Sequence, residues 1–175
     1  MLLSQLPFIP ELYSQYIREL PNCPLPEALH YSRDLCRFIP KDSLEKLKGH
    51  RYEPGKWTVG DILQHLIDTE RILAYRSLRV ARGDTAPLPG FDENKYALNT
   101  LARERSLSDL LEEYQLVRQS TIMLFQSFSN EALLRTGICA GQQVSVASLG
   151  FMIAGHAAHH TRIIQERYVS QAQIE

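Results

Sequence analysis

The chain has 175 residues, 44% of them hydrophobic, and a formal net charge of −1; this is the size and balance of a single globular domain, residues 1–175, with a core of its own. The near-neutral charge gives no electrostatic footprint for a nucleic-acid backbone or an anionic membrane, so neither is expected as a partner. MLLSQLPFIPELY lacks the basic and apolar regions of a signal peptide and no later run approaches a membrane span, so the expected compartment is the cytoplasm.

Cys23, Cys36 and Cys139 are odd in number and scattered, without a CxxC. They imply neither a disulfide framework nor a thiolate zinc site. Pro10 to Leu20 reads as a short amphipathic piece ended by Pro21, expected to pack against the outside of the fold. After PNCP, Leu25, Leu29, Cys36 and Ile39 fall near helical spacing until Pro40 stops the run, which predicts a first main helix. Asp42 to Leu47 adds about one turn, and RYEPGK is a loop. His30 and His50 lie in these polar surroundings and read as surface residues.

A second main helix is strongly signalled. Thr58 can cap it with Asp61 at the third helical position. Ile62, Leu63, Leu66, Leu73 and Leu78 repeat at helical spacing, and Arg79, Arg82 and Gly83 mark its end. It covers about 25 residues, roughly 37 Å. His65 lies on its row Ile62, Thr69, Ile72, beside the apolar stripe. Trp57, at its entrance, reads as a packing anchor. Gly83 to Arg105 holds Pro87, Pro89 and Gly90 and no apolar period, and loops this long are uncommon without a task. A crossover between two parallel helices is such a task, since about 20 extended residues reach back along the bundle. Asp92 and Asn94 in it read as turn residues.

Ser106 caps a third helix carrying Leu110, Leu111, Tyr114, Val117, Thr121, Leu124, Phe125 and Phe128. Asn130 to Val144 is a mostly polar connection, and no convincing strand is seen anywhere. Ser145 to Tyr168, SVASLGFMIAGHAAHHTRIIQERY, is the fourth helix. It places His156 and His160 one turn apart on one face, in line with Leu149, Met152, Ile153, Ile163 and Ile164. A polar pair on a buried stripe calls for a partner, and His65 is the other histidine within a strongly helical pattern. His156 and His159 also share a face, so helical geometry alone does not separate His159 from His160. Ala147, Gly150, Ala154, Ala158 and Thr161 form a row of small residues, suited to close helix approach within the bundle or in a dimer. The expected fold is an all-α four-helix bundle, a class that builds metal sites from side chains on facing helices.

KWTVGDILQHLIDTERI, PLPGFDEN and AGHAAHHTRII together resemble the DinB superfamily, over about Leu25 to Tyr168. The resemblance implies an up-down-down-up bundle with a long crossover between helices two and three. It implies a metal triad of His65, His156 and His160, and it extends to this chain the family's frequent dimers and its thiol-dependent enzymes. His159 then becomes a candidate catalytic or substrate group. Asp68 and Glu70 become candidates to orient a ligand or to hold an arginine such as Arg71 or Arg162.

Three neutral imidazoles leave a divalent ion its full charge and an open position, which acidifies a bound water or thiol. Histidines suit zinc, nickel, copper or iron; availability puts zinc first and nickel next, with iron and manganese behind them. The sharpest expectation is an S-transferase that activates a low-molecular-weight thiol towards a small-molecule electrophile. The alternatives are a metal-dependent hydrolase and a non-catalytic binding or stress protein braced by its metal.

Overall fold

The computed structural model describes residues 1–170. Two 3-10 turns, Leu3–Gln5 and Glu11–Tyr13, precede α1 (Ser14–Ile17) and α2 (Leu25–Tyr31). A further 3-10 turn, Leu35–Arg37, leads to α3 (Lys41–Leu47), α4 (Val59–Ala81), α5 (Glu93–Leu98), α6 (Leu107–Gln126) and α7 (Asn130–Leu134). A hairpin of β1 (Thr136–Cys139) and β2 (Gln142–Ser145) then feeds α8 (Val146–Ile163), which a π-helical turn, Ile164–Val169, prolongs. Helices α2, α4, α6 and α8 form an up-down-down-up four-helix bundle in which α4 packs on both α6 and α8. Among the described residues no helix is long and apolar enough to cross a membrane.

Local chemistry fixes the long helices where the sequence marks them. At the start of α4, the Thr58 hydroxyl accepts from the Asp61 amide and the Asp61 carboxylate accepts from the Thr58 amide, both at 3.0 Å. Such a capping box is worth about 1 kcal/mol. Ser106 caps α6 by accepting from the Asp109 amide, and Ser145 caps α8 by accepting from the Ser148 amide.

The first main helix is shorter than its periodicity predicts. It stops at Tyr31, because the Ser32 hydroxyl bonds back to the Ala28 carbonyl and the Asp34 carboxylate accepts from the Cys36 amide to start a new turn. The connection after α6 is not simply polar loop: it holds α7 and the hairpin. Ala140 and Gly141, both at positive φ (51° and 78°), make its two-residue turn. The crossover also contains α5, whose cap is Asp92, accepting from the Asn94 and Lys95 amides. It is tied to the hairpin as well, since the Leu88 amide donates to the Ile138 carbonyl and the Ala140 amide to the Leu88 carbonyl, both at 2.9 Å.

The N-terminal piece is not an outer decoration. Ile17 is fully buried, and a Cβ on Gly155 would stand 2.3 Å from the Tyr16 carbonyl oxygen. Only a glycine lets this segment press so closely on α8. The small-residue row of α8 likewise lies inside the bundle from Ala147 to Ala154, with Gly150 facing Leu25 and Phe125.

The core is two apolar clusters with a polar layer between them. On α8, Met152, Ile153 and Ala154 belong to one cluster and Ala157 to the other, as does Ile164 of the π-helical turn; on α4, Leu66 and Ile67 belong to the second and Leu73 to the first. His156 on α8, and Thr69 and Glu70 on α4, occupy the interval, and the His65 ring reaches His156 from beside it.

Candidate metal centre

The polar layer brings three histidines together. His156 Nε2 lies 3.0 Å from His65 Nε2 and 3.1 Å from His160 Nε2, and the ligand atoms of all three fall within 4.8 Å of one another. The one-turn spacing of His156 and His160 on α8 supplies two of the donors, and the close packing of α4 against α8 supplies the third.

Burial keeps this cluster uncharged. It lowers the His65 pKa to about 4. Desolvation, reinforced by the neighbouring histidines, lowers His160 to about 3 and holds His156 well below the ordinary histidine range. Each ring therefore offers a lone pair rather than a charge near neutral pH. The nearest group to His65 Nδ1 is the Thr69 hydroxyl at 3.4 Å, placed to fix the tautomer that leaves Nε2 free to bind. The buried Nδ1 of His160 has no hydrogen-bond partner among the described residues.

Converging lone pairs repel unless a proton or a cation stands between them. At His156 Nε2, two neighbours compete for at most one proton. Nitrogens bound to one tetrahedral metal at ~2.0–2.1 Å lie about 3.3 Å apart. The donor set and its spacing thus fit a divalent cation.

The cluster opens on a cleft of about 490 Å³. Its walls are Tyr13 and Tyr16 from the N-terminal segment, Trp57 from the loop before α4, Phe91 from the crossover, Ala140 from the hairpin and Met152 from α8. Trp57 and His160 also border a second hollow of about 300 Å³, which Asn94 lines. The Trp57 ring lies 4.7 Å from that of His65, and Tyr16 meets His156 edge-on at 5.3 Å. The Tyr168 hydroxyl donates to the Trp57 carbonyl at 2.6 Å, so the end of α8 holds the tryptophan loop in place.

The other sequence candidates lie elsewhere. His159 faces away from the triad, with Nδ1 3.8 Å from Glu19 and 3.4 Å from the Arg162 guanidinium. Asp68 accepts from Gln64 at 2.9 Å, and Gln64 in turn accepts from Arg105 on the face towards α6. Glu70 is held by Arg118 rather than by Arg71 or Arg162, through bonds of 2.8 and 2.9 Å. None of these three lines the cleft. Among the residues that do line it, Arg76 and Tyr16 were not singled out in the sequence. Arg76 lies on the stripe that carries His65, Thr69 and Leu73, so helical spacing contains the signal for it. Tyr16 gives no comparable signal, because only tertiary packing brings it to His156. His30 and His50 are exposed, as expected.

The family model of the DinB superfamily matches residues 27–164. No curated protein sequence matches the chain. Among solved structures, YfiT from Bacillus subtilis, described as "a probable metal-dependent hydrolase with an unusual four-helix bundle topology", superposes with a TM-score of 0.68 at 16% identity. The match covers 93% of this chain and 89% of YfiT.

Proposed function

The chain belongs to the DinB superfamily, and from that premise we propose that it is a metalloenzyme in which His65, His156 and His160 hold one divalent ion, zinc first and nickel next. The convergence of three neutral Nε2 atoms at the floor of an open cleft carries this reading. Bound there, the ion supplies a Lewis acid that lowers the pKa of a thiol or a water.

The family and the histidine cluster support thiol transfer and hydrolysis equally, and of the two we favour thiol transfer. Hydrolysis of an ester or amide calls for a proton carrier beside the nucleophile, and the carboxylates of Asp68 and Glu70 point away from the cleft. The carboxylate that does line it, Glu93, is exposed. A thiol that has already lost its proton needs no such base: its sulfur forms the new bond to an electrophilic carbon while the leaving group departs with the electron pair. Trp57, Tyr16 and Met152 offer apolar walls against which the electrophile packs and from which water is displaced. The hydrolase reading is favoured by one observation, the description of YfiT.

Cobalt(II) substitution separates the readings. The expected result is a visible spectrum that gains a sulfur-to-cobalt charge-transfer band when a small thiol is added. A response to azide without one to thiols would turn the assignment to the hydrolase. A spectrum indifferent to both would leave a closed, bracing ion.

A further inference from the structure

Among the described residues two arginines are buried, and one of them has a carboxylate partner there. Arg118 is neutralised by Glu70 within the core. Arg76 is only 4% exposed, yet no carboxylate among the described residues lies within 4.0 Å of it. Its contacts are neutral: Nη2 donates to the Pro89 carbonyl at 2.6 Å, Nη1 reaches the Tyr13 hydroxyl at 3.4 Å, and the guanidinium lies 5.9 Å from the centre of the Phe91 ring. A guanidinium out of water without a counter-charge is costly, and two neutral acceptors leave much of its donor fork unused.

Arg76 lines the same cleft as the histidines. Its eleven-residue separation from His65 on α4 corresponds to roughly 16 Å along the axis, and Leu73 and Met152 line the cleft between them. Glu93, on the exposed rim, makes no ion pair with Arg76.

We propose that Arg76 anchors the carboxylate of a small-molecule substrate whose apolar body lies along this cleft with its reactive end at the three histidines. A planar carboxylate matches the guanidinium fork with two parallel hydrogen bonds and supplies the missing charge. The bond to Pro89 fixes the fork in advance and ties the crossover to the anchor. The word "substrate" rests on the metalloenzyme reading; the anion site itself does not.

The test therefore uses metal-free protein. Trp57 is the chain's single tryptophan and stands in the cleft wall, so its fluorescence reports occupancy. Titration with hexanoate and octanoate should give saturable changes, with octanamide weaker by about tenfold or more. Arg76→Gln should weaken octanoate to the level of octanamide, and Arg76→Lys, which keeps the charge and loses the fork, should fall between. The titrated protein carries no metal, so failure of the metal reading leaves this result standing, and His50→Ala, outside the cleft, should bind octanoate as before. Equal affinity for octanoate and octanamide in the unaltered protein would overturn the proposal even if the Arg76 variants do not fold. So would the absence of saturable binding by either carboxylate, or displacement of octanoate by equimolar inorganic phosphate.

Discussion

Arg118 grips Glu70 with two nearly parallel hydrogen bonds, 2.8 and 2.9 Å long, at a point where neither side chain is more than 3% exposed. The same guanidinium donates to the Leu29 carbonyl and to the Ser32 hydroxyl, which places it at the break that ends α2. One ion pair thus joins α4 to α6 and closes the end of a third helix. Glu70→Ala or Arg118→Met should lower unfolding free energy by about 3–5 kcal/mol, because each leaves a buried partner unmatched. Urea unfolding measures this, and the protein that remains folded should retain its metal. Loss of metal without loss of stability would return Glu70 to the chemistry.

Metal content should depend on the three converging histidines and on no others. His65→Ala, His156→Ala and His160→Ala should each lose stoichiometric metal, read by elemental analysis after purification without added metal. His30→Ala, His50→Ala, His159→Ala and Asp68→Asn should keep it. Full metal in the His65 variant would dissolve the link between α4 and α8 on which the site depends.

Acid should destabilise the metal-free protein well before its carboxylates titrate. His65 binds its proton at about 4 when folded and at 6.5 when free, and His160 at about 3 when folded. Between those limits the unfolded chain holds more protons than the folded one, so stability falls as pH falls. The slope is up to about 1.4 kcal/mol per pH unit for each histidine. Urea midpoints at pH 7 and pH 5 check the sign, and His65→Asn should show a shallower slope. Equal midpoints at the two pH values would contradict the buried neutral cluster.

Tyr168→Phe removes the hydroxyl that holds the Trp57 carbonyl. A cost of about 1 kcal/mol is expected, together with a red shift of tryptophan emission as the loop admits water. An unchanged spectrum would mean that Trp57 is held by its packing on His65 alone.

Where local chemistry decides an element, the sequence is legible. The Thr58, Ser106 and Ser145 caps start the helices they mark, and the proline-rich stretch after Gly83 is the crossover. The i, i+4 pair on α8 meets His65 because the faces that carry them are also the faces the bundle buries. Legibility fails where a distant side chain decides. Nothing near Tyr31 announces that Arg118 will bond the Leu29 carbonyl, and Tyr114 that of Ser32, where α2 stops. Ala140-Gly141 lacks the usual Asn-Gly cue for a hairpin turn, and the strands it joins have four residues each. Glu70 looks like a ligand-orienting acid by its distance from His65, but its direction around the helix sends it to α6. Gly155 is the clearest case, since its lack of a side chain acquires meaning only from the Tyr16 carbonyl on the other side of the contact.

That contact divides the cleft between two pieces of chain. The donor atoms sit on α4 and α8, inside the stretch that the family pattern covers, whereas Tyr13 and Tyr16 come from residues before position 27, where the pattern has not begun. The histidine floor and one wall of the cleft therefore belong to separate pieces of chain, which meet where Gly155 faces the Tyr16 carbonyl.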